Sequence, residues 1–320
     1  MSISVVGAGA FGTALAIAFA RAGTPVTLIA RDEDTAQRLE EDRQNRARLP
    51  GHAFPEALRL ASGLNEVRGD VVLLSVPTQQ LPSVLKDAPE GFAGKALVAC
   101  CKGIDLETLK GPTHTISTLC PGAVAGVLTG PSFAVDIAAG LPTALTLATA
   151  DATQGEDLQA ALRAPTLRLY RTQDCIGAEL GGALKNVMAI ACGAVMGAGL
   201  GESARAALVT RGFAEMQRLA LHLGAQSATL SGLSGFGDLV LTCTSPTSRN
   251  YRFGEALARG ETLGAGVTVE GASTAVAAWK LARAHGIDMP ITAVIVQVMN
   301  GDLTVAQAMA ALLARPQTKE

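Results

Sequence analysis

Lys185 lies inside the most apolar helical stretch of the chain, and residues 187–200 follow it without a charge. A buried ammonium is costly unless it is paired. A lysine in such a place therefore either finds a partner or works as an acid or base; a lysine snorkelling at a helix edge is the plain alternative. Lys102 is a second candidate, since it ends the apolar run 96–101 and is followed by Gly103. Ligands of open parallel sheets bind beyond the carboxyl ends of the strands, and a lysine there can point into the crevice. Gly130 and Ser132 stand at the end of another apolar run, 124–128, where a glycine permits close approach and a serine offers a hydroxyl or a helix cap. Asp238 follows the Gly/Ser-rich stretch 230–237. Its carboxylate can orient a lysine, accept a substrate hydroxyl, or cap the next helix. Thr242 lies one turn on if that segment is helical. Ser248, Arg249 and Asn250 form a polar loop whose donors suit a cluster of phosphate oxygens.

The strongest pattern is at the start of the chain. Residues 7–12 read Gly-Ala-Gly-Ala-Phe-Gly, a G-x-G-x-x-G turn between a short apolar run, Ile3–Val6, and the Ala/Leu/Ile-rich run 13–22. Gly7 permits the tight turn, Gly9 lets a pyrophosphate approach the backbone, and Gly12 lets the helix pack close to the sheet. The helix N-terminus adds free N–H groups and a partial positive charge. The spacing thus predicts dinucleotide binding. Arg31 follows the second strand, where a 2′-hydroxyl-reading acid often stands, and it can pair with a 2′-phosphate instead. Asp32 can still reach a ribose hydroxyl, or Asp32 or Asp34 can cap the next helix. The balance favours NADPH, with NAD as the other choice.

The elements that must position these residues follow from periodicity. Apolar runs predict strands at 3–6, 26–30, 58–61, 71–76, 96–101, 124–128, 143–149 and 166–170. Helical stretches are read at 13–22, 34–43, 81–85 and 154–162, with 44–55 irregular. Beyond Asp174 strand alternation disappears. Helices are expected over 179–196, 203–223, 272–285 and 304–313, and the Gly/Ala-rich turns of the first predict very close packing on a neighbour. The fold class is therefore α/β: a Rossmann dinucleotide-binding domain over 1–173 and an all-α domain over 174–320.

Composition narrows the function. Hydrophobic residues make up 48% of the 320 and charged residues 17%, enough for a large core and against disorder. The net charge of −2 implies neither a nucleic-acid footprint nor a polybasic membrane patch. No signal peptide is read at the N-terminus, and 187–200 is short for a membrane span and reads as a core helix. The six cysteines make no C-x-x-C pair and the four histidines show no metal spacing. Reduced thiols and a cytoplasmic location are expected.

Seven stretches occur together in one order: GAGAFGTALA at 7–16, CKGI at 101–104, TGPSFA at 129–134, ALKNVMAIA at 183–191, GFGDLVLTC at 235–243, SRN at 248–250 and VEG at 269–271. In them the chain resembles the bacterial NAD(P)-dependent sn-glycerol-3-phosphate dehydrogenases over about residues 3–313. The resemblance implies reduction of dihydroxyacetone phosphate to sn-glycerol 3-phosphate for glycerophospholipid synthesis, with no membrane span and a homodimer. It implies that Lys185 is the general acid/base, Lys102 a contact to substrate and cofactor, and Asp238 the support of the catalytic lysine. Gly130, Ser132, Ser248, Arg249 and Asn250 would hold the substrate. Gly7, Gly9, Ala10, Phe11, Gly12, Arg31, Ala134, Thr268 and Glu270, with Arg249, would meet the cofactor. Many members carry Ser where this chain has Ala10, leaving a backbone N–H there. A two-domain dehydrogenase of the 3-hydroxyacid or 6-phosphogluconate kind shares the start and a helical second domain, but not TGPSFA, GFGDL and SRN together. A nicotinamide-binding sensor without turnover would not require both lysines.

Overall fold

A computed structural model describes residues 1–87, 89–261 and 269–315. The chain forms two compact units: Met1–Lys102 with Lys110–Glu179, and Gly103–Leu109 with Leu180–Glu320.

The first unit is built on eight strands: β1 (Ile3–Val6), β2 (Val26–Ala30), β3 (Leu58–Ser62), β4 (Val71–Leu74), β5 (Ala96–Ala99), β6 (Val124–Thr129), β7 (Thr143–Thr149) and β8 (Leu167–Thr172). Their order in the sheet is β3-β2-β1-β4-β5-β6-β7-β8. Every pair is parallel except β6 with β7. The first six strands thus have the doubly wound order whose switch point lies beside β1. Continuous burial of β1 and β4 fits strands covered on both faces. Helices α1 (Ala10–Arg21), α2 (Glu33–Asp42), α3 (Leu81–Asp87), α4 (Pro89–Phe92), α5 (Pro112–Leu119), α6 (Ala134–Ala139) and α7 (Ala152–Ala161) connect the strands.

Helix α8 (Cys175–Gly197) begins in the first unit and continues into the second. It is followed by α9 (Glu202–His222), α10 (Ser227–Ser231), a π-helical turn at Leu233–Gly237, α11 (Asp238–Cys243), α12 (Arg249–Arg259), α13 (Glu270–Ala284), α14 (Pro290–Asn300) and α15 (Val305–Leu313). Among the described residues the second unit carries no strand. By length and composition α8 could cross a membrane, with a mean hydropathy of 1.4, yet 89% of that stretch is buried inside the molecule, as in a core helix. The close packing expected of its small residues is present. A Cβ on Gly193 would collide with Tyr251 O, one on Gly197 would lie 2.7 Å from Glu255 O, and one on Gly254 would lie 2.7 Å from Ala194 N, so α8 and α12 touch backbone to backbone.

Helices α5, α6, α12 and α14 were not anticipated by periodicity. Helices α5 and α6 are short, α14 is rich in Thr, Val and Ile, whose helix propensity is low, and α12 opens with residues whose polarity suggests a loop. Tertiary contacts hold two of them. Glu179 of α8 accepts the Thr113 N–H at the start of α5 at 2.5 Å. Glu215 of α9 accepts the N–H groups of Ile291 (2.6 Å) and Thr292 (3.2 Å) at the start of α14. These orphan donors need partners. Burial pushes both carboxyls up to about 7, against the pull of those hydrogen bonds.

Candidate active site

The glycine turn has the expected form. Gly7 takes φ +107°, outside the range of ordinary side chains, and a Cβ there would lie 2.7 Å from Ser75 O. A Cβ on Gly12 would strike Gly7 O and sit 2.9 Å from Ser75 Cβ, so only glycine lets α1 start this close to β4. Gly9 is the N-cap of α1, with nothing within 4 Å of a Cβ placed on it. Open space beside the N-terminus of a twelve-residue helix fits the pyrophosphate of a dinucleotide. Ala10 is the first residue of α1, so its N–H is among the helix donors without an intrahelical partner.

Beyond the ends of β2 and β3 lies a cleft of about 570 Å³ lined by Arg31, Asp32, Glu33, Ser62 and Glu66, among others. The Arg31 side chain is 92% exposed and lies 3.4 Å from Asp32. Asp32 caps α2, accepting the Thr35 N–H at 2.8 Å. That hydrogen bonding holds its carboxyl below the ordinary value. Glu33 accepts a hydrogen bond from Ser62 Oγ. Two of the acids in the cleft thus already serve the protein.

Lys102, Gly130, Ser132 and Phe11 gather in the same unit. Lys102 Nζ donates to Gly130 O at 2.9 Å, and Ser132 Oγ donates to the same carbonyl at 3.1 Å. Lys102 Nζ also lies 6.0 Å from the Phe11 ring centroid, at the limit of a cation–π contact. Gly130 sits at φ +132°, and a Cβ there would meet Leu145 Cα at 3.2 Å. Ser132 is not a helix cap; Phe133 occupies that position, and Ala134 opens α6.

In the second unit Lys185 meets a carboxylate. Its Nζ lies 3.1 Å from Asp238 Oδ1 and donates to Thr242 Oγ1 at 2.8 Å, while the Thr242 hydroxyl donates to Asp238 Oδ1 at 3.1 Å. Lys185 is 6% exposed and Asp238 1%. The local causes can be followed. Gly181 is four residues before Lys185, hence on the same face of α8. A Cβ there would lie 2.7 Å from Ser234 O and 2.9 Å from Gly235 Cα. Glycine therefore lets the π-helical turn press against α8, and Asp238, the first residue of α11, follows directly. Asp238 and Thr242 are again four apart, so both face the lysine. A carboxylate in a first helical turn is also stabilised by the helix dipole.

The stretch Ser248, Arg249 and Asn250 is not the loop expected from its polarity. Ser248 is the N-cap of α12, accepting the Tyr251 N–H at 3.2 Å, and Arg249 and Asn250 open the helix. Ser and Asn disfavour helix interiors but suit helix starts. Arg249 is exposed at that N-terminus. Asn250 donates to Asn186 Oδ1 at 2.8 Å and accepts the Gly271 N–H at 3.0 Å, tying α8 and α12 to the start of α13. Glu270 is the first residue of α13 and half-buried, its carbonyl accepting from Thr274 Oγ1 at 2.7 Å. Thr268 lies outside the described residues. Periodicity gave no signal for Asn45, Glu179 or Glu215, all buried polar residues.

A doubly wound sheet with a glycine-rich turn after β1, followed by a helical unit carrying a buried lysine–aspartate pair, defines a two-unit nicotinamide-dinucleotide dehydrogenase. Residues 2–154 match the family description "NAD-dependent glycerol-3-phosphate dehydrogenase N-terminus" and residues 174–310 the corresponding C-terminus. Two proteins named glycerol-3-phosphate dehydrogenase [NAD(P)+] are similar over their whole length. The one from Roseobacter denitrificans is 57% identical, with 100% of each chain covered, and the one from Cereibacter sphaeroides 56%, covering 99% of this chain and 100% of that one. A crystal structure of glycerol-3-phosphate dehydrogenase from Coxiella burnetii superposes with a TM-score of 0.92 at 36% identity, over 98% of this chain and 99% of that one. The chain belongs to the NAD(P)-dependent glycerol-3-phosphate dehydrogenase family.

Proposed function

We propose that the chain reduces dihydroxyacetone phosphate to sn-glycerol 3-phosphate, reversibly, with NADPH preferred over NADH and with Lys185 as general acid/base. The observation that carries this reading is the Lys185–Thr242–Asp238 triangle. An ammonium fixed by two buried oxygens is aimed before substrate arrives, so little reorganisation is needed when charge develops. Bound reduced nicotinamide supplies the hydride. Lys185 stabilises the negative charge that grows on the carbonyl oxygen and donates a proton to it; in the reverse direction it takes the hydroxyl proton back. Asp238 balances the ammonium and holds its rotamer.

The dinucleotide role belongs to 1–173, with Gly7, Gly9, Ala10, Phe11, Gly12, Arg31 and Ala134 as its contacts; Lys102 touches both cofactor and substrate. The substrate role belongs to 174–320. Lys185, Asp238, Ser248, Arg249 and Asn250 bind there, Arg249 and Glu270 also meet the cofactor, and Thr268 is assigned by resemblance. Gly130 and Ser132 add substrate contacts from the first domain. An exposed arginine at a helix N-terminus suits a phosphate group, whose anchoring fixes the carbonyl carbon for transfer. The NADPH preference is supported by Arg31, whose guanidinium is exposed while Asp32 is engaged as a cap. A cytoplasmic location, read from the cysteine pattern, belongs to the same proposal, as do a homodimer and a place in glycerophospholipid synthesis, which follow the resemblance.

The test is reduced-nicotinamide consumption with two ketones. NADPH is expected to be oxidised with dihydroxyacetone phosphate and not with unphosphorylated dihydroxyacetone. Equal efficiency with both would remove the phosphate clamp from the proposal.

A further inference from the structure

Asn45 lies in the irregular segment after α2, and it is 3% exposed. Its Nδ2 donates to Ala8 O at 2.9 Å and to Thr13 Oγ1 at 2.9 Å, while its Oδ1 accepts the Arg48 N–H at 3.1 Å. The orientation of this amide is unambiguous. The Ala8 carbonyl can only accept and the Arg48 N–H can only donate. Its side chain therefore grips the glycine turn at the residue between Gly7 and Gly9.

The segment that carries it is anchored at both ends. Arg43 ends α2 in the left-handed region at φ 44°, turning the chain back. Its guanidinium donates to Pro55 O at 2.8 Å and Leu58 O at 3.2 Å, and the Phe54 N–H donates to Arg43 O at 2.8 Å. The Leu49 N–H closes a turn on Asn45 O at 2.8 Å. Asn45 is thus held by a rigid loop and does not depend on a long side chain finding its place.

The consequence is geometric. Ala8 C=O and Gly9 N–H share one planar trans peptide and point in opposite directions. Pinning the carbonyl to the buried Asn45 amide fixes the plane and sends the Gly9 N–H the other way. Gly9 is the N-cap of α1, and its own carbonyl accepts the Thr13 N–H at 2.9 Å. The second arm of the amide, on Thr13 Oγ1, ties the same clamp to the first turn of that helix. Rotation of this peptide would turn the carbonyl, a partial negative charge, toward any anion at the helix N-terminus.

We infer that Asn45 is a positioning residue for the dinucleotide: it locks the Ala8–Gly9 peptide so that the Gly9 N–H is presented to the pyrophosphate. The inference rests on the reading of residues 7–12 as the cofactor turn. Asn45 acts through the backbone and touches neither adenosine nor nicotinamide. Its loss must therefore affect NADH and NADPH alike, unlike a change at Arg31.

Fluorescence titration with NADH and NADPH tests this on the full chain and on Asn45→Asp, Asn45→Ala and Thr13→Val. Asn45→Asp keeps the size but replaces the donor with a carboxylate facing the Ala8 carbonyl. Both Asn45 variants are expected to weaken both dinucleotides by about 10- to 100-fold, the scale of a lost buried hydrogen bond and its consequences. The NADPH-to-NADH affinity ratio stays at the parent value. In steady state the cofactor KM rises with the dissociation constant while kcat falls much less. Thr13→Val removes one of the two acceptors with little change of volume, is expected to loosen both dinucleotides by roughly threefold, and carries the test if the Asn45 variants do not fold. Dissociation constants within about twofold of the parent in Asn45 variants that still melt cooperatively overturn the inference, as does a loss confined to one dinucleotide. If only Thr13→Val folds, parent-like binding by it has the same force. A parent chain that binds neither dinucleotide overturns instead the cofactor reading beneath it.

Discussion

The glycine turn and the lysine centre solve the problem of binding charge in opposite ways. The turn uses main-chain N–H groups at the start of α1, and its side chains matter mostly by being absent. The lysine centre uses side chains brought from 185, 238 and 242, and its main chain matters by letting helices come close. A backbone site is cheap to specify, because six adjacent residues contain it. A side-chain site in a helical unit must be assembled across more than fifty residues of chain. It stands only where glycines such as Gly181 allow the approach. The first arrangement suits an anion that is held and released unchanged. The second suits a reacting oxygen, whose charge changes and which needs a proton from a group that titrates.

The contrast is broken most directly at Lys185. Lys185→Met keeps length and apolar character, and turnover is expected to fall by at least about 100-fold. NADPH affinity, measured by titration, should persist because the turn is untouched. Lys185→Arg should fail as well, since a guanidinium does not give up its proton near neutral pH. A methionine variant with near-normal turnover would leave Lys185 a packed structural lysine and make Lys102 the leading candidate. The opposite dissection is Arg31→Ala. It should cost NADPH binding about 1–3 kcal/mol, the range for hydrogen bonds to charged groups, with NADH nearly unaffected. Equal loss of both would make Arg31 a general contact and place the preference elsewhere.

A smaller effect sharpens the account of the lysine centre. Thr242→Val removes the hydroxyl that accepts from Lys185 and donates to Asp238. It should lower kcat by roughly tenfold, about 1.4 kcal/mol, with little change in cofactor affinity; an unchanged kcat would reduce Thr242 to packing. The smallest effect lies away from both sites. Glu215 titrates near 7 in the folded chain against 4.5 as its ordinary value, because it is buried. Its folded state therefore holds a proton that the unfolded state has lost, and stability falls as pH rises through 7. Its own share should be roughly 1 kcal/mol between about pH 6 and pH 8, read by denaturant unfolding as the difference between the parent and Glu215→Gln, because Glu179, raised to about 7 in the same way, adds a similar slope to both. A Glu215→Gln slope no shallower than the parent's would show that the hydrogen bonds from the Ile291 and Thr292 N–H groups and the Thr292 hydroxyl outweigh the burial of Glu215.

Much of the fold was legible because local spacing encodes it. All eight strands lie within two residues of the apolar runs at either end, and β1, β2 and β7 match at both ends. The long helices α8, α9 and α13 followed from their period and small residues. Helices α12 and α14 escaped, since Ser248, Arg249 and Asn250 resemble a loop until their backbone is seen to open a helix, and since β-branched α14 depends on Glu215 from another helix.

By itself the sequence determined the glycine turn, the strands that flank it and the apolar character of the helix bearing Lys185. Each depends on neighbours a few residues apart, where sterics and periodicity act directly. Only the tertiary structure decided that Glu215 receives the start of α14, that Thr242 joins Lys185 to Asp238, and that Asn45 reaches back 37 residues to Ala8. The physical reason is common to all three. A buried polar group must find a partner, but the partner is chosen by which surfaces the packed elements bring together, and polarity alone leaves that choice open.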